Sequence, residues 1–264
     1  MHKYLSLIFC LISISAFSQE IDLIKESDGL LNQGILYSKI IKANEITLSH
    51  INKDQYFVFS FYTDKEIKSI VFSKKTENNQ ILQTIKYSDS LSVLHIDSIP
   101  RDKTSDEELY VKMYFNMYAS SFYFPLPKDF WAIIENKGDR FDSYMIPQQN
   151  DPKIVMFGHD YLFTYKLNGD FKNFKFIHNN PIPIPAIKSS DDFQGTAHEH
   201  ANRNSKFISA IDIANILVSI NRIDWDRHIV ISKKYVSIFD LKTKTLKIEL
   251  KKDYENRVGQ KLKN

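Results

Sequence analysis

The sequence predicts an α+β fold: antiparallel sheets of repeated hairpins with three or four packed helices. Three observations point there. A capped and almost wholly apolar helix begins at Ser209, three short β-rich runs follow it between His228 and Leu250, and pairs of such runs separated by polar turns recur along the chain.

Ser209-Ala210-Ile211-Asp212 opens that helix as a capping box, the Ser209 hydroxyl accepting from the Asp212 amide and the Asp212 carboxylate from the Ser209 amide. Ile208 and Ile213 stand at the spacing of a hydrophobic staple. Towards Arg222 the polar positions Asp212, Asn215, Ser219 and Arg222 recur at intervals of three and four. They form one narrow stripe, so the helix is expected to be buried with that stripe facing water or a cleft. His228 to Ser232, Tyr235 to Leu241 and Thr245 to Leu250 then read as strands, the last alternating Leu246, Ile248 and Leu250 with Lys247, Glu249 and Lys251. The connection Lys242-Thr243-Lys244 lacks the Gly or Asn of the tightest hairpins, which allows a longer loop.

At the other end, residues 1–18 read as a secretory signal peptide: a basic front at Lys3, an apolar run from Leu5 to Ile14, and Ala16-Phe17-Ser18 as a small-x-small cleavage pattern before Gln19. The apolar run is shorter than the ~20 residues a bilayer span needs. Export to the periplasm or outside the cell follows as an expectation, with no transmembrane segment after cleavage. Cys10 is the one cysteine and lies in this leader, so the mature chain would hold no disulfide, thiol nucleophile or thiolate metal site. Residues 19–264 are expected to form a single α+β domain, with a subdivision into 19–127 and 128–264 as the variant. Of 35 basic and 32 acidic residues the leader takes only Lys3, leaving a net charge of +2. So even a balance argues against nucleic acid as the partner.

Ile21 to Lys42 has helical apolar spacing with a break at Gly29. Gln55 to Thr63, Ile67 to Lys74 and Gln80 to Tyr87 read as strands, Ser105-Asp106-Glu107-Glu108 as a second capping box opening a helix to about Ser120, and Trp131 to Glu135 with Arg140 to Ile146 as a hairpin. The run Ile154 to Leu167 aligns without gaps on His228 to Leu241, which suggests a duplicated hairpin, with Tyr56 to Phe72 as a fainter copy. Pro181-Ile182-Pro183-Ile184-Pro185 reads as a stiff, ladder-poor connector, Lys188 to Lys206 as a polar surface loop and Asp253 to Leu262 as a closing helix.

One cluster of metal-ligand types stands out. If the chain is extended, His198 and His200 point the same way, and His228 with a carboxylate from Asp192 or Glu199 could complete a zinc site. Position 202 is Asn where a zincin needs His, and Asn202-Arg203 stand where the HxHxDH pattern of metallo-β-lactamase-like hydrolases needs Asp and His. Asp212, Asn215, Arg222 and Trp225 are candidate cleft residues, Asp212 as a base and Arg222 as an anion clamp, although Trp225 suits a plug between helix and sheet. No GxSxG, P-loop, GxGxxG, HExxH or EF-hand pattern is present, and no stretch resembles a characterised family.

The leading expectation is a non-catalytic binding or protein-interaction domain with a protein or small-molecule partner and no cofactor. The alternatives are a metal-dependent hydrolase built on the His198 and His200 cluster, with zinc as its ion, and a carrier of a small apolar ligand.

Overall fold

The structure, a computed structural model, describes residues 2–63, 66–75, 80–178, 180–187, 195–200 and 205–261, with side chains from Asp22 onward. It is α+β, with four helices and several mostly antiparallel sheets of hairpins. Helix α1 (His2–Leu48) leads into strands β1 (Tyr56–Thr63), β2 (Glu66–Ser73), β3 (Gln80–Tyr87), β4 (Val93–Asp97) and β5 (Arg101–Asp102), which form the first sheet. Helix α2 (Ser105–Tyr123) follows. The second sheet has the order β10-β9-β7-β6, from β6 (Phe130–Asn136), β7 (Phe141–Pro147), β9 (Asp160–Tyr165) and β10 (Phe171–His178). Strand β8 (Ile154–Phe157) pairs with β11 (Ile182–Pro185). The last sheet runs β12 (Gly195–Glu199), β13 (Arg227–Ile231), β14 (Tyr235–Asp240) and β15 (Thr245–Leu250), with helix α3 (Ala210–Ser219) between β12 and β13 and helix α4 (Lys251–Lys261) at the end.

Aromatic side chains decide the first core. Phe57, Phe59, Phe61 and Phe72 of the first sheet and Phe130, Phe141, Tyr161, Phe163 and Tyr165 of the second close on Val111, Met113, Tyr114 and Met117 of α2. The tyrosine and methionine stripes of α2 are thus a core face. Its N-cap is Thr104, one residue before the expected Ser105; the Thr104 hydroxyl accepts from the Glu107 amide and the Glu107 carboxylate accepts from the Thr104 amide. The helix reaches Tyr123 and stops at Phe124, which Pro125 holds extended at φ −121° and ψ 159°.

Helix α1 does not break at Gly29. Residues on both sides of that glycine are committed to packing: Leu23, Leu30, Leu31 and Ile35 meet the core beneath the last sheet, and Tyr37, Ile40 and Ile41 meet Ile133, Ile146 and Ala214. That burial offsets the ~1 kcal/mol that glycine costs a helix. Further along, Gly34 sits against α3 so closely that a Cβ there would lie 2.6 Å from Ile213. The two helices can cross there only because one side chain is missing.

The hairpin echo is not a structural repeat. β13 and β14 pair with each other, whereas β8 pairs with β11 and β9 with β7 and β10, so the aligned residues fall in different sheets. The proline run does form a ladder. With proline at every second place, the amides of Ile182 and Ile184 share one edge, and that edge pairs with β8. The polar stretch after it contains β12, parallel to β13, which makes β12-α3-β13 a βαβ unit. Residues 188–194 and 201–204, which hold Asp191, Asp192, Asn202 and Arg203, lie outside the described residues.

Gly34→Ala is expected to lower stability by ~1–3 kcal/mol through overpacking against Ile213, and Gly29→Ala, with nothing within 4 Å, to raise it by ~0.5–1 kcal/mol. Urea denaturation of the two variants beside wild type checks both signs. A pH effect follows from the cap of α2. Burial works against the Glu107 charge, but the Arg101 guanidinium at 2.7 Å and the Thr104 amide outweigh it and hold the carboxyl below its ordinary value. The stability this adds is complete above the usual carboxylate range and is lost as pH falls through the lowered pKa. Glu107→Gln is therefore expected to flatten the acid limb of the stability curve, and parallel limbs in a denaturation series at stepped pH would contradict it.

Candidate metal centre

Strand β12 runs parallel to β13 with Thr196 beside His228 and His198 beside Val230, which places Thr196, His198 and His228 on one face. The ladder continues one step past β12, where the His200 amide donates to the Ile231 carbonyl at 2.9 Å, so His200 joins that face. The expected alignment of His198 and His200 holds, but they do not sit in a solvated loop. His198, His200 and His228 are all buried.

Across from them lies the first turn of α3. Its capping box is the one the sequence predicts: the Asp212 amide donates to Ser209 Oγ at 3.0 Å and the Ser209 amide to Asp212 Oδ2 at 2.9 Å. Ile208 and Ile213 share one core cluster, as the staple requires. The polar stripe, however, is buried from Asp212 through Asn215 to Ser219, and only Arg222 at its end is partly exposed. Asp212 and Ser219 have no exposure at all; Asn215 donates to the Met156 carbonyl, Ser219 to Gln149, and Arg222 to Ser219 at 2.7 Å. A long connection, residues 148–153, packs over this side of the helix and needs polar partners there. Asp212 lies in the first turn of α3, whereas Arg222 lies past its last residue against Ser219 and Gln149, so they do not share one site. Trp225 is buried and donates from Nε1 to the Pro185 carbonyl at 3.2 Å; it is the plug, not a cleft wall.

Asp212 meets His200, whose Nε2 is 3.5 Å from Asp212 Oδ2. A further histidine arrives from the second sheet: His178, the last residue of β10, lies with its ring tilted 35° to that of His200 at 4.7 Å and holds Asp160 Oδ1 through Nδ1 at 2.8 Å. Ligand atoms of His178, His200 and Asp212 all lie within 4.8 Å of one another. Each of these three residues also carries one buried atom without a hydrogen-bond partner: His178 Nε2, His200 Nδ1 and Asp212 Oδ1. Among the described residues only six side-chain polar atoms are in that condition, and a fourth, Asp160 Oδ2, belongs to the same neighbourhood. Buried polar atoms are ordinarily paired, so unpartnered atoms on three neighbouring residues make this cluster the candidate binding centre.

The electrostatics agree. Burial alone would raise the Asp212 carboxyl, but the His200 contact and the imidazoles of His178 and His198 hold it well below the usual carboxylate range. Burial would lower His178, yet its bond to Asp160 and the charges of Asp212 and Asp160 push it up to about 9. Burial raises the Asp160 carboxyl against the lowering effect of its bond to His178, so the charge to be compensated is that of Asp212, and the His178 imidazolium faces it. His198 and His228 go the other way. Burial, helped by neighbouring imidazoles and opposed by Asp212, lowers them to about 4 and about 3, so both are neutral at physiological pH.

Of the expected trio His198, His200 and His228, the structure brings all three together but places only His200 in the ligand group. His198 and His228 form a hydrogen-bonded chain behind it, Thr196 Oγ1 to His228 Nδ1 at 2.7 Å, His228 Nε2 to His198 Nδ1 at 2.8 Å, and His198 Nε2 to His200 Nε2 at 3.1 Å. The Phe157 ring covers the chain, stacked on His228 at 4.6 Å and 4°. Sequence reasoning missed His178 and Asp160. Neither has a local signal, because their pairing depends on how β9 and β10 align.

Compared with protein-family models, curated proteins and solved structures, the chain matches none. The reading of this centre rests on its geometry.

Asp212→Ala removes both a helix cap and the charge that faces His178 and His200. The expected loss is on the order of 3–5 kcal/mol, well beyond the ~1 kcal/mol of an ordinary cap. Asp212→Asn, which keeps an acceptor for the Ser209 amide, should lose less, and urea denaturation of the pair separates charge from cap.

Proposed function

We propose that this protein binds one divalent ion of the zinc class through His178, His200 and Asp212, and that the ion serves a non-catalytic, structural role. The observation that carries it is that His178, His200 and Asp212 each offer a ligand atom within 4.8 Å of the others, and each also holds a buried polar atom without a partner. Two imidazoles and one carboxylate suit zinc and its neighbours, and hard ions such as calcium would want more oxygens.

Location supports a structural role. His178 ends β10 of the second sheet, His200 follows β12 of the last sheet and Asp212 opens α3, so one ion would join three elements that are distant along the chain. The ligands lie deep, with side-chain exposures of 11% for His178 and 1% for both His200 and Asp212, which leaves a substrate little approach. The supports are those of a built centre: Asp160 orients His178, and the Ser209 amide orients Asp212.

A second reading is a metal-dependent hydrolase, favoured by the ligand count, since three protein ligands leave a tetrahedral ion one open position for water. The carrier of a small apolar ligand has a cleft of about 320 Å³ between α1, α3 and the second sheet. That cleft is polar on one wall, where Gln33 donates to Tyr37 and Glu135. It suits an apolar cargo poorly. The leader-like residues 1–18 support export, and the near balance of charge supports a partner other than nucleic acid.

Metal content of the chain from Gln19, followed by zinc titration, tests the proposal. One zinc per chain is expected, lost in His178→Ala and in His200→Ala, with stability rising by ~2.7 kcal/mol at a hundredfold excess over Kd. Absence of stoichiometric metal, or binding indifferent to both substitutions, overturns it. Turnover of ester, amide or phosphoester substrates that vanishes with the metal would move the conclusion to the hydrolase.

A further inference from the structure

We infer that Thr196, His228 and His198 form a one-way hydrogen-bond chain that locks the Nε2–H of His200 and leaves His200 Nδ1 as the metal-facing atom, so that Thr196 positions the centre without touching the ion. The part concerning the ion rests on the metal-binding reading above. The direction of the chain does not.

A neutral imidazole has one donor and one acceptor, so a file of three histidines joined nitrogen to nitrogen can point only two ways. In one direction the Thr196 hydroxyl donates to His228 Nδ1, His228 Nε2–H to His198 Nδ1, and His198 Nε2–H to His200 Nε2. His200 then turns a lone pair towards Asp212 Oδ2 at 3.5 Å, two electron-rich atoms facing each other in a buried site, and its own proton is stranded on Nδ1, which has no acceptor. In the other direction His200 Nε2–H lies between His198 Nε2 at 3.1 Å and the Asp212 carboxylate, His198 Nδ1–H donates to His228 Nε2 at 2.8 Å, and His228 Nδ1–H donates to Thr196 Oγ1 at 2.7 Å. Every proton then has an acceptor. The negative charge of Asp212 selects this second arrangement, and the ladder of β12 and β13 holds Thr196 where the last proton needs it.

The consequence is a division of labour among the histidines. His178 is oriented by a carboxylate on its Nδ1, the usual outer partner of a metal-bound imidazole, and keeps Nε2 for the ion. His200 is oriented the opposite way round, by an imidazole on its Nε2, and keeps Nδ1. His198 and His228 are positioning residues. Phe157, stacked flat on His228 and tilted at 5.0 Å against His198, stops both rings from turning over.

The tautomers can be read directly by long-range proton–nitrogen correlation of the histidine rings in the metal-free full chain. The expected pattern is Nδ1–H for His228 and His198 and Nε2–H for His200; Nε2–H at either His228 or His198 overturns the direction. Thr196→Val keeps the shape of the side chain and removes the only acceptor at the end of the file. It is expected to invert the tautomers and to weaken zinc binding ~10- to 100-fold, with Thr196→Ser restoring both. A merely structural threonine would move neither, so an unchanged tautomer pattern and unchanged zinc affinity in Thr196→Val defeat the positioning role. If wild type shows the expected tautomers but takes up no zinc, the metal reading fails while the chain stands.

Discussion

The buried carboxylate of Asp212 is the constraint on which the surrounding structure depends. A charge with no exposure survives only where its surroundings supply compensating dipoles and cations. Asp212 finds them in four places: the positive end of α3, the amide of Ser209, the Nε2–H of His200 and the raised imidazole of His178. The first two belong to the start of α3 and the others to separate strands, so satisfying one carboxylate fixes the start of α3, the end of β12 and the end of β10 together. The neutral chain of His198 and His228 then follows, because further positive charge in so dry a place would cost more than Asp212 could return.

That arrangement needs α3 to stand in one place, and helix α1 provides it. α1 passes along three of the four cores, touching the last sheet with Leu30 and Leu31, the second sheet with Tyr37 and Ile41, and the first sheet with Ala43. Its close crossing with α3 at Gly34 and Ile213 sets the depth at which α3 lies. Ile213 is also the residue next to Asp212. A shift of the crossing would therefore pull the carboxylate away from His178 and His200, which links a packing contact on one side of α3 to the polar centre on the other.

Local signals in the sequence were legible where one turn of chain suffices to define them. The Ser209–Asp212 box, the Ile208 and Ile213 staple, the β1 to β3 meander and the β6–β7 hairpin all lie where the residues predict. Errors arose where a pattern had two physical solutions. A polar stripe on a helix can face water or a packed segment of chain that needs hydrogen bonds, and Asn215 and Ser219 took the second, meeting Met156 of β8 and Gln149 of the connection before it. Alternating prolines can make a connector or a one-edged strand. The matched runs at Ile154 and His228 share an apolar pattern, yet pattern does not choose partners, and β8 went to β11 while β13 went to β14. Of the candidate ligands, His200 is legible from its HxH spacing and Asp212 from its place in the helix cap; His178 has no signal, since only the register of β9 and β10 sets it beside Asp160.

The location of the centre has a reason in the topology. β12, α3 and β13 make the one parallel crossover among the described strands, and a crossover places the end of its first strand and the start of its helix on the same side of the sheet. Open strand ends and helix N-termini present unsatisfied amides there, which is why α/β folds bind ligands at that edge. Here the edge is not open. The β9–β10 hairpin closes over it and contributes His178, turning what would be a shallow anion-binding rim into a buried site of imidazoles and carboxylates. Burying that edge without partners for its lone pairs would cost several kcal/mol. The charge pairing of Asp212 with the raised His178 imidazole offsets part of that cost, and a bound cation is the other way the same residues can meet it.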